Sequence, residues 1–219
     1  MAKFITVFNS KGGVGKTMLS MSLAGALAQL GKTVEVIDMD KQQDSVSWSG
    51  NALDPQNKPF PATVDGLFHL GTKFTNVIPQ RAGKYDYIIV DCPPSDESSV
   101  PYSSMMMSDL AIVPVTASPQ DKNSVNRATA LIEEVLVRRP DLKYLFVITK
   151  YRKQNSVQRA TAEEHREALG DKLWKSFISE RTAYQEAMCI GGTVRDVKDA
   201  SAAISEINEL TKTIIKLIN

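Results

Sequence analysis

Eight consecutive residues, Ser10-Lys11-Gly12-Gly13-Val14-Gly15-Lys16-Thr17, carry the densest chemistry in the chain. Glycines let a backbone turn tightly and aim successive N–H groups into one concavity, and a helix starting there adds its positive dipole end. Lys16 then reaches the β- and γ-phosphates of a bound polyphosphate, and the Thr17 hydroxyl ligates Mg²⁺. The strict G-x-x-x-x-G-K-[ST] pattern wants glycine where this chain has Ser10, but the variant K-G-G-x-G-K-T fits in full. Lys11 inside such a loop is odd as a fold-stabilising residue. Its expected partner is phosphate charge, in its own site or across a dimer interface.

The elements around the loop are those that could position it. Phe4, Ile5, Val7 and Phe8 form a near-continuous apolar run, as in a strand buried on both faces of a parallel sheet. After the loop, Leu19, Leu23, Ala26, Leu27 and Leu30 share one helix face, and Gly31 suits a left-handed C-terminal cap. Val34, Val36 and Ile37 make a second strand ending at Asp38, which completes a right-handed βαβ unit. The alternation recurs: Tyr87–Val90 ends at Asp91, Leu110–Val113 is closed by Pro114, and Tyr144–Ile148 follows. Helices are expected around Ser99–Met107, Ser124–Arg138, Gln158–Leu169 and Ala200–Ile218, with a short strand over Leu173–Ile178. Residues 51–61 read as a surface loop, and the region on to Arg81 has no clear pattern. With no repeat or linker, residues 1–219 are expected to form a single α/β domain with a doubly wound, mostly parallel sheet and helices on both faces.

Composition narrows the function. Hydrophobic residues make up 42% and charged residues 23%, which excludes wholesale disorder. Lys and Arg number 26 against 25 Asp and Glu, so nucleic-acid binding needs a local patch and not bulk charge. Cys92 and Cys189 match no zinc or redox spacing and suit a reducing cytosol. No apolar run reaches membrane-span length. The opening residues enter a strand directly, so no signal peptide is expected.

The loop, from Lys11 to Thr17, resembles the deviant Walker A motif of ParA/MinD-type ATPases. Val36-Ile37-Asp38-Met39-Asp40, with Gln42 and Trp48, is similar to that family's second motif. Tyr85–Pro94 resembles its Walker B segment. Pro114–Asp121 resembles its proline motif, which places Pro119 and Asp121 at a nucleotide and dimer contact. Phe146–Lys150 and Glu209–Lys212 look most like the short ParF-type plasmid-partition ATPases, so the resemblance spans essentially the whole chain.

This resemblance implies a P-loop NTPase fold and an ATPase using ATP/ADP and Mg²⁺. It also implies a nucleotide-dependent homodimer, nonspecific DNA binding and a small ParB-like adaptor that stimulates hydrolysis, at a cytoplasmic, nucleoid-associated location. Lys11 would reach across the dimer to the partner's phosphates. Gly12, Gly13, Val14, Gly15, Lys16, Thr17 and Met18 would hold the nucleotide. Thr17, Asp38 and Asp91 would serve the metal, and Asp40 would orient the attacking water. Lys41 stands where the family has proline, which loosens the turn after Asp40. Met18 replaces a second hydroxyl, leaving only its backbone N–H for the α-phosphate. Thr149 stands at a strand end where longer relatives carry an adenine-reading Asn.

Only nine residues precede Ser10, so no N-terminal helix-turn-helix domain is expected. From Arg138 to Lys175 ten Lys/Arg face five acids, a local excess of five. Arg152, Lys153, Arg159, Lys172 and Lys175 are the DNA candidates, with Lys198 a possible addition and a solvated helix face the competing reading. Ile204, Ile207, Leu210, Ile214, Leu217 and Ile218 recur at helical spacing without interfacial Trp or Phe. That favours docking on the core over a MinD-like membrane contact, so no stable membrane association is expected. Met105–Met107 read as packing on the sheet, Cys92 as a buried side chain, and His69 and His165 as surface residues. The alternative functions are a positioning ATPase of the same fold that distributes a protein assembly, and a membrane-acting relative.

Overall fold

The computed structural model describes residues 2–53 and 56–219. Asp54 and Pro55, inside the expected 51–61 loop, lie outside the described residues. Among the described residues the chain forms six strands, five of them on the apolar runs: β1 (Lys3–Val7), β2 (Val34–Asp38), β3 (Thr63–Gly66), β4 (Tyr87–Asp91), β5 (Leu110–Thr116) and β6 (Lys143–Thr149). They form one sheet in the order β3-β2-β4-β1-β5-β6, with every pairing parallel. β1 lies between β4 and β5, where the winding reverses. The carboxyl ends of strands at such a switch point form a crevice suited to a ligand.

Helices cover both faces. α1 (Lys16–Gln29), α2 (Asp44–Gly50), α7 (Thr182–Cys189) and α8 (Ser201–Ile218) bury Leu19, Leu23, Trp48, Tyr184, Ile207, Leu210 and Ile214 in one core. α3 (Ile78–Arg81), α4 (Val100–Met105), α5 (Lys122–Leu136) and α6 (Ser156–Leu169) cover the other face, with Phe74, Ile78, Met105, Ile132 and Phe146 inside. The apolar stripe of α8 lies in the first core, so that helix docks as its periodicity implies. Met105 is buried and Met106 and Met107 pack against the second core. Among the described residues no helix is long and apolar enough to cross a membrane.

Five expectations need correction. β5 does not close at Pro114 but runs on to Thr116. Phe8 N bonds Ile112 O on the β1 side, and Pro114, two residues on, faces the same way. β1 has turned into the loop by then, so the missing N–H has no strand partner to lose. Leu30 is 57% exposed because it is the cap residue beyond the last turn of α1. There Gly31 N bonds Ala28 O and Lys32 N bonds Leu27 O, a paired closure that needs the left-handed φ of Gly31 (76°). Residues 173–178 form no strand; the stretch runs beside β6, with isolated bridges from Leu173 to Phe146 of β6 and from Ser179 to Tyr151 just past it. His165 is buried, only 4% exposed, whereas His69 lies on the surface. Finally, α2, β3, α3 and α7 lie where no element was expected. β3 is held at the sheet edge by Arg81, which pairs with both Glu35 and Asp65.

Candidate functional site

The chain leaves β1 at Val7 and builds the loop around Asn9, which is fully buried. Asn9 Oδ1 accepts from Lys11 N (3.0 Å), and its Nδ2 donates to Pro114 O (2.7 Å). Gly13 and Gly15 have φ of 73° and 89°, in the left-handed region where side chains are strained. Gly15 caps α1 without any side-chain hydrogen bond, so the first N–H groups of that helix are available to an anion. Lys16 Nζ is drawn back over the loop and donates to Lys11 O at 3.1 Å. A cavity of about 580 Å³ opens here. Gly12, Gly13, Gly15, Lys16, Thr17, Met18 and Asp40 line it; Lys11, Val14, Asp38, Asp91, Pro119, Asp121 and Thr149 do not.

Lys150, Ser179, Glu180, Arg181, Tyr184, Gln185 and Met188 also line the cavity, residues that sequence reasoning missed. Their signal was weak: α7 is eight residues long and carries no motif. Lys150 has φ 51°, a strained conformation for a lysine at a cavity wall. Thr149 is fully buried and its hydroxyl lies 2.7 Å from Val14 O and 3.1 Å from Val115 O, so it braces the loop from behind. Met18 Sδ accepts a weak bond from Ser22 at 3.8 Å.

Two buried carboxylates lie beneath the loop. Asp91 accepts from Thr17 Oγ1 (2.8 Å), Ser45 Oγ (2.9 Å) and Ser20 Oγ (3.2 Å). Asp38 accepts from the backbone N–H of Asp40 (3.0 Å), Ser45 (2.9 Å) and Val46 (3.3 Å). Burial, reinforced by the nearby Asp38 charge, pushes the Asp91 pKa up to about 7. Burial also raises that of Asp38, against its three backbone hydrogen bonds. Desolvated oxygen donors of this kind fit a hard divalent cation such as Mg²⁺. A hydroxyl that donates its hydrogen to Asp91 keeps both lone pairs for such an ion, so Thr17 is compatible with that role. Among the described residues no group of three or more His, Cys, Asp or Glu could hold a metal alone, so water or phosphate oxygens would complete the shell. Ser20 and Ser45 were not foreseen, since a lone serine in a helix gives no signal.

Asp40 is half-buried at the cavity wall. Its Oδ1 accepts from Gln42 N at 3.0 Å and Gln43 N bonds its carbonyl at 3.1 Å. This turn closes through the aspartate side chain, which offsets the absence of a proline at Lys41. Lys11, though partly exposed, does not fold onto its own loop: its ammonium pairs with the fully buried Asp121, which also accepts from Thr116 Oγ1. Pro119 opens the short turn that presents Asp121.

The basic candidates stand on different parts of the chain: Arg152 and Lys153 follow β6, Arg159 lies on α6, and Lys172 and Lys175 come after it. Arg152 pairs with Glu180, and Lys172 pairs with Asp171 at 3.7 Å and sits over the Tyr144 ring. Lys153, Arg159, Lys175 and Lys198 are exposed without an ion-pair partner among the described residues.

Residues 5–194 match the family model described as the CobQ/CobB/MinD/ParA nucleotide binding domain. The chain is 27% identical over 212 residues to the maintenance of carboxysome distribution protein A of Halothiobacillus neapolitanus, covering 96% of this chain and 95% of that one. It is 27% identical over 237 residues to the chromosome-partitioning ATPase Soj of Thermus thermophilus, covering 96% and 94%. In structure it is similar to the septum site-determining protein MinD of Pyrococcus horikoshii complexed with Mg-ADP. The TM-score is 0.75 at 19% identity, over 99% of this chain and 97% of that one, a likeness that bears on the fold.

Proposed function

The chain belongs to the CobQ/CobB/MinD/ParA nucleotide-binding family, and from that premise we propose that it is a partition-type ATPase whose ATP-bound form pairs with a second copy and holds DNA nonspecifically. The observation that carries the reading is the desolvated Asp38–Asp91 pair, with Thr17, beneath an uncapped helix N-terminus. Both carboxylates are hydrogen-bonded, yet burial disfavours their charge, and a triphosphate with its magnesium suits such a site.

Each residue then has a defined task. The N–H groups of Gly12 to Met18 and the Lys16 ammonium bind and orient the phosphates. Asp38 and Asp91, with the Thr17 hydroxyl, would hold magnesium, which when bound would neutralise phosphate charge. Asp40, at the cavity wall, orients a water whose oxygen bonds the γ-phosphorus as the bond to the β–γ bridging oxygen breaks, releasing ADP and phosphate. Lys11 leaves Asp121 and contributes its charge across the pair. ATP favours the dimer by its differential affinity for it, so hydrolysis releases the partner copy and DNA together. A small ParB-like DNA-bound adaptor would accelerate that step, and the cell location would be the nucleoid.

Equal identity to a chromosome-partitioning and a carboxysome-distribution protein supports a shared cycle and leaves room for a second reading. In it the same ATPase distributes a protein assembly, and the genes beside its own separate the two. The direct test is DNA binding with ATP, ADP or no nucleotide across a salt series. ATP-selective binding that falls steeply with salt supports the proposal. Binding indifferent to nucleotide, or unchanged in Lys16→Ala, removes it.

A further inference from the structure

His165 lies on an otherwise polar helix, yet its ring is buried against the end of β5. A carbonyl oxygen only accepts, so the Nε2–H donates to Thr116 O, at 3.3 Å. Burial pushes the imidazole pKa down, which keeps the ring neutral in this role. Thr116 is the last residue of β5 and its hydroxyl donates to Asp121. Asp121 is further seated by its own N–H on Ser118 O (2.9 Å) and by Ser124 Oγ on its carbonyl (2.8 Å). Its other carboxylate oxygen takes the Lys11 ammonium. A buried carboxylate resists losing its cation, because what remains is an uncompensated charge. Lys11 must break this pair before meeting any phosphate beyond its own loop.

We infer that His165 is a positioning residue for Lys11: by anchoring Thr116 it fixes the Asp121 carboxylate that holds the lysine ammonium within the same chain. The strength of that hold sets how much phosphate binding must supply to release the lysine. The consequence for dimer formation rests on the proposed function; the hold itself does not.

The test is site-resolved acetylation of the nucleotide-free full chain with an N-hydroxysuccinimide ester, read by mass spectrometry. The Lys11 side chain is 45% exposed, so the reagent reaches it and the ion pair is what slows reaction. His165→Leu and Thr116→Val should each raise the Lys11 rate about three- to ten-fold, as for one lost hydrogen bond, with Lys153 unchanged. His165→Gln, whose amide can donate, and Thr116→Ser, which keeps the hydroxyl, should restore it. Should His165→Leu fail to fold, the Thr116 pair of variants carries the test. An unchanged Lys11 rate, or glutamine behaving as leucine, overturns the inference. In a second arm, ATP is titrated against dimer formation, and the loosened variants should need roughly three- to ten-fold less ATP. A wild-type chain that labels as expected but never pairs removes the proposed function and leaves the positioning role. One that pairs normally while Lys11 ignores these variants does the reverse.

Discussion

Replacing Asp91 by asparagine should stabilise the nucleotide-free chain while abolishing its ligand. In the folded state the Asp91 pKa is raised from 3.8 to about 7 by burial and the Asp38 charge. A carboxyl with a raised folded pKa binds more protons folded than unfolded between those values. Its contribution is therefore favourable below about pH 4, fades as pH rises to about 7, and stays unfavourable above. About three pH units at 1.36 kcal/mol each give about 4 kcal/mol as the upper bound. Asparagine removes the charge but must re-pair with the hydroxyls of Thr17, Ser20 and Ser45, so about 2 to 4 kcal/mol is expected at pH 8. In a chain of this length that is about 5 to 10 °C in melting temperature. The assay is thermal and urea unfolding in EDTA from pH 4 to pH 8, wild type against Asp91→Asn. Asp38 and Glu35, also raised, tilt both curves the same way, and His165, lowered, tilts them oppositely. These contributions largely cancel in the difference, apart from the relief felt by Asp38. A variant less stable at pH 8, or two curves that run parallel, would refute the reasoning.

Three further outcomes are expected. Asp40→Ala should keep ATP-dependent pairing yet lose turnover, measured by phosphate release against sizing chromatography, and undiminished release would remove Asp40 from the chemistry. Gly191→Ala should destabilise by about 2 to 6 kcal/mol, since its Cβ would fall 2.0 Å from Ala52 N at φ 64°, and Gly83→Ala, with open space, should be near neutral in the same melts. Trp48→Phe leaves Gly192 O without its 2.9 Å indole partner and should lower the melting temperature by about 2 to 6 °C.

The sheet and the phosphate loop were legible because their signals are local. β1, β2, β4, β5 and β6 each show an apolar run, and two of them end in the aspartates that matter. β3 was hidden because Thr63–Gly66 is a four-residue edge strand with no fully buried position. Pro114 misled because its effect depends on whether a neighbouring strand still needs its N–H, which only the topology tells. His165 misled because a lone polar residue on a polar helix has no periodicity to betray its burial. The link between Lys11 and Asp121 joins residues 110 positions apart, and nothing in either neighbourhood announces the other. Part of the cavity lining was missed for a similar reason: Lys150 and Arg181 acquire meaning only when β6 and α7 are set side by side.

Asn9 has a consequence of its own. The oxygen of its amide steadies the entrance of the phosphate loop, and the nitrogen takes up the Pro114 carbonyl beside the retreating first strand. A single side chain thus rivets the cradle to the track that leads on to Thr116 and Asp121. Any ligand that displaces the cradle must drag that track with it or shear the rivet, so the molecule owns a short lever from what it holds to the face it would show another copy.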